Sequence, residues 1–68
     1  MYAQNIKIWR TRRGLSQTDL ANKIGIHRTT MNRIEKGRLT PSVALLEQIA
    51  QGLNVSVAEL FTEPLMRD

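Results

Sequence analysis

The stretch Gln17-Thr18-Asp19-Leu20-Ala21-Asn22-Lys23-Ile24-Gly25-Ile26-His27-Arg28-Thr29-Thr30-Met31-Asn32-Arg33-Ile34-Glu35-Lys36 decides how this chain folds. Two short helices that cross at a tight turn need apolar side chains at the fourth, eighth, tenth, fifteenth and eighteenth positions of such a segment, so that their inner faces share one core. Counted from Gln17, those positions hold Leu20, Ile24, Ile26, Met31 and Ile34. The fifth position, where the helices approach most closely, must be small and is Ala21. The ninth must accept left-handed backbone, and it is Gly25. Every constraint is met.

Helical punctuation continues on both sides. Ser16-Gln17-Thr18-Asp19 reads as a capping box that starts the second helix, and Gly25 stops it. A third helix is expected from Arg28 to Lys36, stopped by Gly37. Upstream, Ile6 and Trp9, with Met1 or Tyr2 a turn earlier, predict a first helix over Ala3 to Arg13 that ends at Gly14. Downstream, Thr40-Pro41-Ser42 predicts the start of a fourth helix with proline in its first turn. Leu45, Leu46, Ile49, Ala50 and Leu53 form its inner face. Gly52 interrupts that pattern at a cost of about 1 kcal/mol against alanine, and marks either an early helix end or a close contact. Ser56-Val57-Ala58-Glu59 is a second capping box, for a short fifth helix through Phe61. Pro64 then closes the order, leaving a short tail over 62–68. Strand-like alternation is nearly absent. The expectation is an all-α, compact five-helix domain spanning 1–68, with no repeat, linker or low-complexity segment.

Sixty-eight residues with 41% hydrophobic and 24% charged side chains suit one small globular domain. There is no cysteine, so neither a disulfide framework nor a thiolate metal site is expected. No apolar run approaches the ~20 residues of a membrane span, and Met1-Tyr2-Ala3-Gln4-Asn5 does not read as a signal peptide. A cytoplasmic protein without membrane contact is expected. One histidine and scattered carboxylates argue against a metal or acid–base centre, so no catalytic, cofactor-binding or metal-ligating residue is assigned. No small-molecule ligand is implied.

The net charge of +4 is unevenly placed. Up to Arg38 there are nine basic residues against two acidic ones, a local +7; from Leu39 onward one base stands against four acids, a local −3. Such a one-sided field attracts a polyanion to one end of the molecule, although a solvated surface would look the same.

Arg10, Gly14-Leu15-Ser16-Gln17, Leu20-Ala21, Gly25, Ile34-Glu35-Lys36-Gly37, Pro41-Ser42 and Ile49-Ala50 together resemble the Cro/phage-repressor (XRE-type) helix–turn–helix domains along nearly the whole chain. Within that family, Gly25-Ile26-His27-Arg28-Thr29 followed by Ile34-Glu35 is similar to restriction–modification controller proteins. The resemblance implies a lambda-repressor-like fold with its helix–turn–helix motif at 17–36. It also implies a DNA-binding transcriptional regulator whose third helix enters the major groove, as a homodimer on a near-palindromic operator.

Individual residues take roles on that basis. With Met31 and Ile34 turned inward, Arg28, Thr29, Asn32 and Arg33 lie on the exposed face of the third helix and are candidate base contacts. Arginine forks onto guanine, asparagine pairs both ways with adenine, and threonine offers a methyl to thymine; an ordinary polar helix face is the plain alternative. Ser16 and Gln17, at the start of the second helix, are candidate phosphate contacts through backbone amides and helix dipole, a role the resemblance also carries to Gln17. Lys36, Arg38 and Thr40 follow the third helix and are candidate phosphate contacts on the other side of the groove. His27 stands where the family usually caps the third helix with serine or threonine, which weakens the cap or turns the imidazole toward DNA phosphate.

The resemblance makes Arg10 and Glu35 an internal ion pair and Trp9 a core residue, with base stacking as the sharper alternative for Trp9. Val55, Val57, Leu60, Phe61, Leu65 and Met66 exceed what a five-helix core needs. Of these, Val57, Leu60, Phe61 and Leu65 are the candidate dimer interface, with a purely internal role as the alternative. Three rival functions stay open: an antitoxin or switch-partner protein whose DNA binding depends on a second protein, an architectural DNA binder without sequence preference, and a small nuclease.

Overall fold

A computed structural model describes residues 2–62. It is all-helical: α1 Tyr2–Arg12, α2 Gln17–Ile24, α3 Arg28–Glu35, α4 Val43–Leu53 and α5 Val57–Leu60. The helix ends are set by local chemistry. At α2 the Ser16 hydroxyl accepts the Asp19 amide at 2.9 Å, and the Asp19 carboxylate accepts the Ser16 amide at 3.0 Å. Ser56 and Glu59 repeat this reciprocal pair at α5. Gly25 closes α2 at φ 80°, a left-handed conformation that would strain a side chain with a Cβ.

Three helices differ in their bounds from the sequence expectation. α1 begins and ends one residue earlier, at Tyr2 and Arg12, because the chain unwinds over Arg13 into the left-handed Gly14. α3 ends at Glu35, with Lys36 as its cap, and α5 ends at Leu60 rather than Phe61. Pro41 is not in the first turn of α4. Ser42 is the cap, extended at φ −67° and ψ 165°, and its hydroxyl accepts the Leu45 amide at 3.1 Å. A capping side chain must stand on the non-helical residue before the first turn, and that leaves Pro41 outside the helix, where it is buried.

Ile6, Leu20, Met31, Ile34, Ile49, Leu53 and Leu60 are fully buried and bring all five helices to one core, with Ala21 beside them. Ile24, Ile26 and Leu45 are only partly buried and line its edge. Gly52 resolves as a close contact: a Cβ there would lie 2.8 Å from Ile24 Cγ2 and 3.0 Å from Leu20 Cδ1. α4 continues past it and is terminated by the left-handed Asn54, whose amide returns to the Ala50 and Gln51 carbonyls.

Leu60 is a correction to the proposed dimer surface. It is fully buried within one chain, so it has no area left to give a partner. Val57 is half-buried against the core, and Phe61 is exposed with its ring edge-to-face on Tyr2 at 5.9 Å. Leu65 and the rest of the tail beyond Thr62 lie outside the described residues.

Candidate nucleic-acid interface

α3 has two faces. Met31 and Ile34 fix it to the core, so its other side must be presented outward. Arg28, Thr29 and Arg33 are exposed there, and Asn32 is half-buried at the margin toward α2. Lys36, Arg38 and Thr40 continue the exposed surface beyond the helix. The turn that carries them folds back on α3, with the Arg33 carbonyl accepting the Arg38 amide at 2.8 Å and the Leu39 amide at 3.3 Å. Among the described residues, Arg28, Arg33, Lys36 and Arg38 take part in no ion pair, so their charge acts outward.

The entrance to α3 is chemically open. His27 occupies the cap position at φ −77° and ψ 148°, yet its side chain accepts no amide of the first turn. The unpaired amides and the positive end of the helix dipole together favour an anion there. The entrance to α2 differs. Its capping box engages the Ser16 and Asp19 amides and leaves those of Gln17 and Thr18. The Ser16 amide bond, and then the Ser16 hydroxyl bond, hold the Asp19 carboxyl below its ordinary 3.8. A fixed negative charge therefore already sits beside that helix end.

The side chain of Gln17 turns inward, with Nε2 donating to Glu35 Oε1 at 3.1 Å and to Asn32 Oδ1 at 3.3 Å. Both amide hydrogens are engaged, and the remaining oxygen is an acceptor with nothing to offer a phosphate oxygen. Any phosphate contact at this position falls to the backbone amide.

Arg10 and Glu35 are brought together from α1 and α3. Nε meets Oε2 at 2.7 Å and Nη2 meets Oε1 at 3.1 Å, with the two side chains 9% and 2% exposed. The third guanidinium nitrogen, Nη1, donates to the Leu15 carbonyl at 2.8 Å, which holds the loop into α2. One arginine thereby ties α1, the entrance to α2 and the end of α3 into one unit. Trp9 is not available for base stacking. Its indole nitrogen donates to the Glu59 carbonyl at 3.4 Å, and the Arg12 and Arg13 guanidinium groups lie 5.3 and 5.1 Å from its ring centroid.

Two structural residues escaped the sequence reading. Asn5 is buried and donates to the Leu60 and Thr62 carbonyls at 2.9 and 3.1 Å, pinning α1 to the end of α5. Arg13 donates to the Leu53 and Asn54 carbonyls at 2.8 and 3.4 Å, closing the carboxyl end of α4. Neither carries a local signal, because the partners lie 40 to 57 residues away. Among the described residues no helix is long and apolar enough to cross a membrane, and no group of three metal-ligating side chains is assembled.

A family model described as helix-turn-helix matches residues 6–60. The chain is 39% identical over 56 residues to an uncharacterized HTH-type transcriptional regulator of Methanocaldococcus jannaschii, covering 82% of this chain and 85% of that one. Among solved structures, the restriction-modification controller protein C.AhdI from Aeromonas hydrophila superposes with a TM-score of 0.86. The identity is 32%, over 88% of this chain and 91% of that one. The master regulator for biofilm formation SinR, solved in complex with DNA, superposes with a TM-score of 0.85 at 35% identity, over 91% of this chain and 100% of that one.

Proposed function

This chain belongs to the helix-turn-helix family, and from that premise we propose that it is a sequence-specific, DNA-binding regulator of transcription. The observation that carries the reading is α3 itself: held by Met31 and Ile34, it exposes Arg28, Thr29 and Arg33 with no internal ion pair to hold them back. Inserted in the major groove, that face meets base edges. Arg28 and Arg33 fork onto guanine O6 and N7, and Thr29 contacts a thymine methyl. The open entrance to α3 at His27, the Gln17 and Thr18 amides with the Ser16 hydroxyl, and Lys36, Arg38 and Thr40 grip the flanking phosphates. These contacts set register and add salt-dependent affinity without reading sequence.

Two copies, paired through the surface around Val57, Phe61 and the tail that contains Leu65, bind two half-sites of a near-palindromic operator. Occupying that operator is how the protein governs a promoter. The similarity to SinR, solved with DNA bound, supports this reading. Selection of bound duplexes from a random library, at near-physiological salt with competitor DNA, tests it. An inverted repeat with half-site centres about one helical turn (~34 Å) apart, or a multiple of it, is expected. Salt-sensitive binding with no enriched motif would overturn sequence-specific recognition and favour a protein that reads DNA only with a partner.

A further inference from the structure

Two acidic residues, Asp19 and Glu35, fall in the basic half of the chain up to Arg38, and the fold treats them in opposite ways. Glu35 has a side chain 2% exposed and matched by Arg10, so it presents no net charge outward. Asp19 is exposed, and among the described residues no cation pairs with it; Lys23, one turn along α2, forms no ion pair. Asp19 is therefore the unneutralised negative charge of that half. Nor is its carboxylate free to swing aside. It accepts the Ser16 amide at 3.0 Å while the Asp19 amide donates to the Ser16 hydroxyl at 2.9 Å, and this pair holds it over the mouth of α2.

That mouth lies beside the exposed face of α3. Gln17, the first residue of α2, reaches across to Asn32 Oδ1 at 3.3 Å, and Arg28, Thr29 and Arg33 are exposed on the same helix. A polyanion seated on α3 has to run past Asp19. The Gln17 and Thr18 amides attract its phosphates, and the fixed carboxylate repels them. We infer that Asp19 limits the affinity of this protein for DNA: the carboxylate that secures the start of α2 also repels the phosphate drawn to that helix end. One side chain thus stabilises the fold and weakens the complex. Phosphates are the same in every duplex, so the limit applies to all sequences alike and leaves base preference to α3. The inference rests on the DNA-binding reading proposed above.

The test measures binding of the parent and of Asp19→Asn, Asp19→Ala, Asp19→Glu and Glu47→Gln to the selected operator and to an unrelated duplex, across a salt series. Each variant is first shown to unfold cooperatively on heating. Asp19→Asn keeps an oxygen for the Ser16 amide and loses the charge. It should bind both duplexes about threefold more tightly per protomer, roughly tenfold for two copies together, and the gain should shrink as salt rises. Its unfolding midpoint should nevertheless fall. Asp19→Ala should gain as much, although it has no amide to donate to a phosphate, and Asp19→Glu should bind like the parent. If the alanine variant does not fold, the salt series on Asp19→Asn decides: a gain from lost repulsion is screened away, and a gain from a new hydrogen bond persists. Glu47→Gln removes an exposed negative charge from α4, outside the proposed contact, and should leave binding within about twofold of the parent. An Asp19→Asn protein that binds no more tightly than the parent, or a Glu47→Gln protein that gains equally, would overturn the inference and leave sequence-specific binding intact. A gain confined to one duplex would overturn it too. A parent that binds neither duplex would overturn the DNA reading itself, and this inference with it.

Discussion

α2 and α3 are both eight residues long and lie next to each other in the chain, yet they begin in opposite ways. α2 is sealed by the Ser16–Asp19 capping box and carries an ionised carboxylate at its amino end. α3 begins at His27 with no side-chain cap, and Arg28, Thr29 and Arg33 follow on its exposed face. The sealed helix secures the fold, together with the Arg10–Glu35 pair behind it. The open helix holds unpaired amides and cations in readiness for a partner with many negative charges.

The largest effect that would break this comparison comes from the junction holding both helices. Glu35→Ala leaves the Arg10 guanidinium buried without its partner and should cost about 3–5 kcal/mol by urea unfolding. Replacing both partners by apolar residues of similar volume should recover most of that loss. If Glu35→Ala unfolds like the parent, the two helices are not anchored in this way. Next comes the outward face. Arg28→Ala should lose about 1–3 kcal/mol at one operator position and relax the preference there. Lys36→Ala should weaken all sequences alike and lower the salt slope by about 1. Identical behaviour of the two variants would remove the distinction between base and phosphate contacts.

The caps give a smaller pair of opposite effects. Ser16→Ala should destabilise by about 1 kcal/mol. His27→Ser should stabilise by a similar ~1 kcal/mol, because it supplies the oxygen that α3 lacks. A thermal-denaturation series in which both variants destabilise would show that His27 already serves as a cap. The smallest effect is in acid. The bonds from Ser16 lower the Asp19 carboxyl in the folded state, so their stabilisation is present above pH 3.8 and is lost as pH falls through the lowered folded value. Asp19→Asn should remove that part of the acid dependence and lower the neutral-pH midpoint slightly, because the stabilisation by the charged carboxylate is then absent at every pH. An unaltered acid limb would show that the capping box plays no part in it.

The helices and their inner faces were legible in the sequence because what specifies them is local. Leu20, Met31 and Ile34 follow from helical spacing, and Ser16, Gly25 and Ser56 from the needs of helix ends. Gly52 was legible as an anomaly, and only the close approach of α2 to α4 decided which kind. Leu60 was misread because an apolar residue on a short helix looks the same whether it faces the core or a partner. Asn5 and Arg13 were invisible, since their carbonyl partners lie in the second half of the chain. The direction of the Gln17 side chain was not legible. A long amide at the amino end of α2 reaches either a phosphate or the neighbouring α3, and the buried Glu35 decides between them.

In the proposed function the opened side of the molecule, and not the acidic α4–α5 side, meets DNA. Titrating the 15N-labelled protein with its selected operator duplex, and following backbone amide shifts, tests it most directly. The account predicts the largest changes at Gln17 and Thr18 and from His27 through Arg38, with α4 nearly silent. Largest changes on α4, with α3 unmoved, would contradict it.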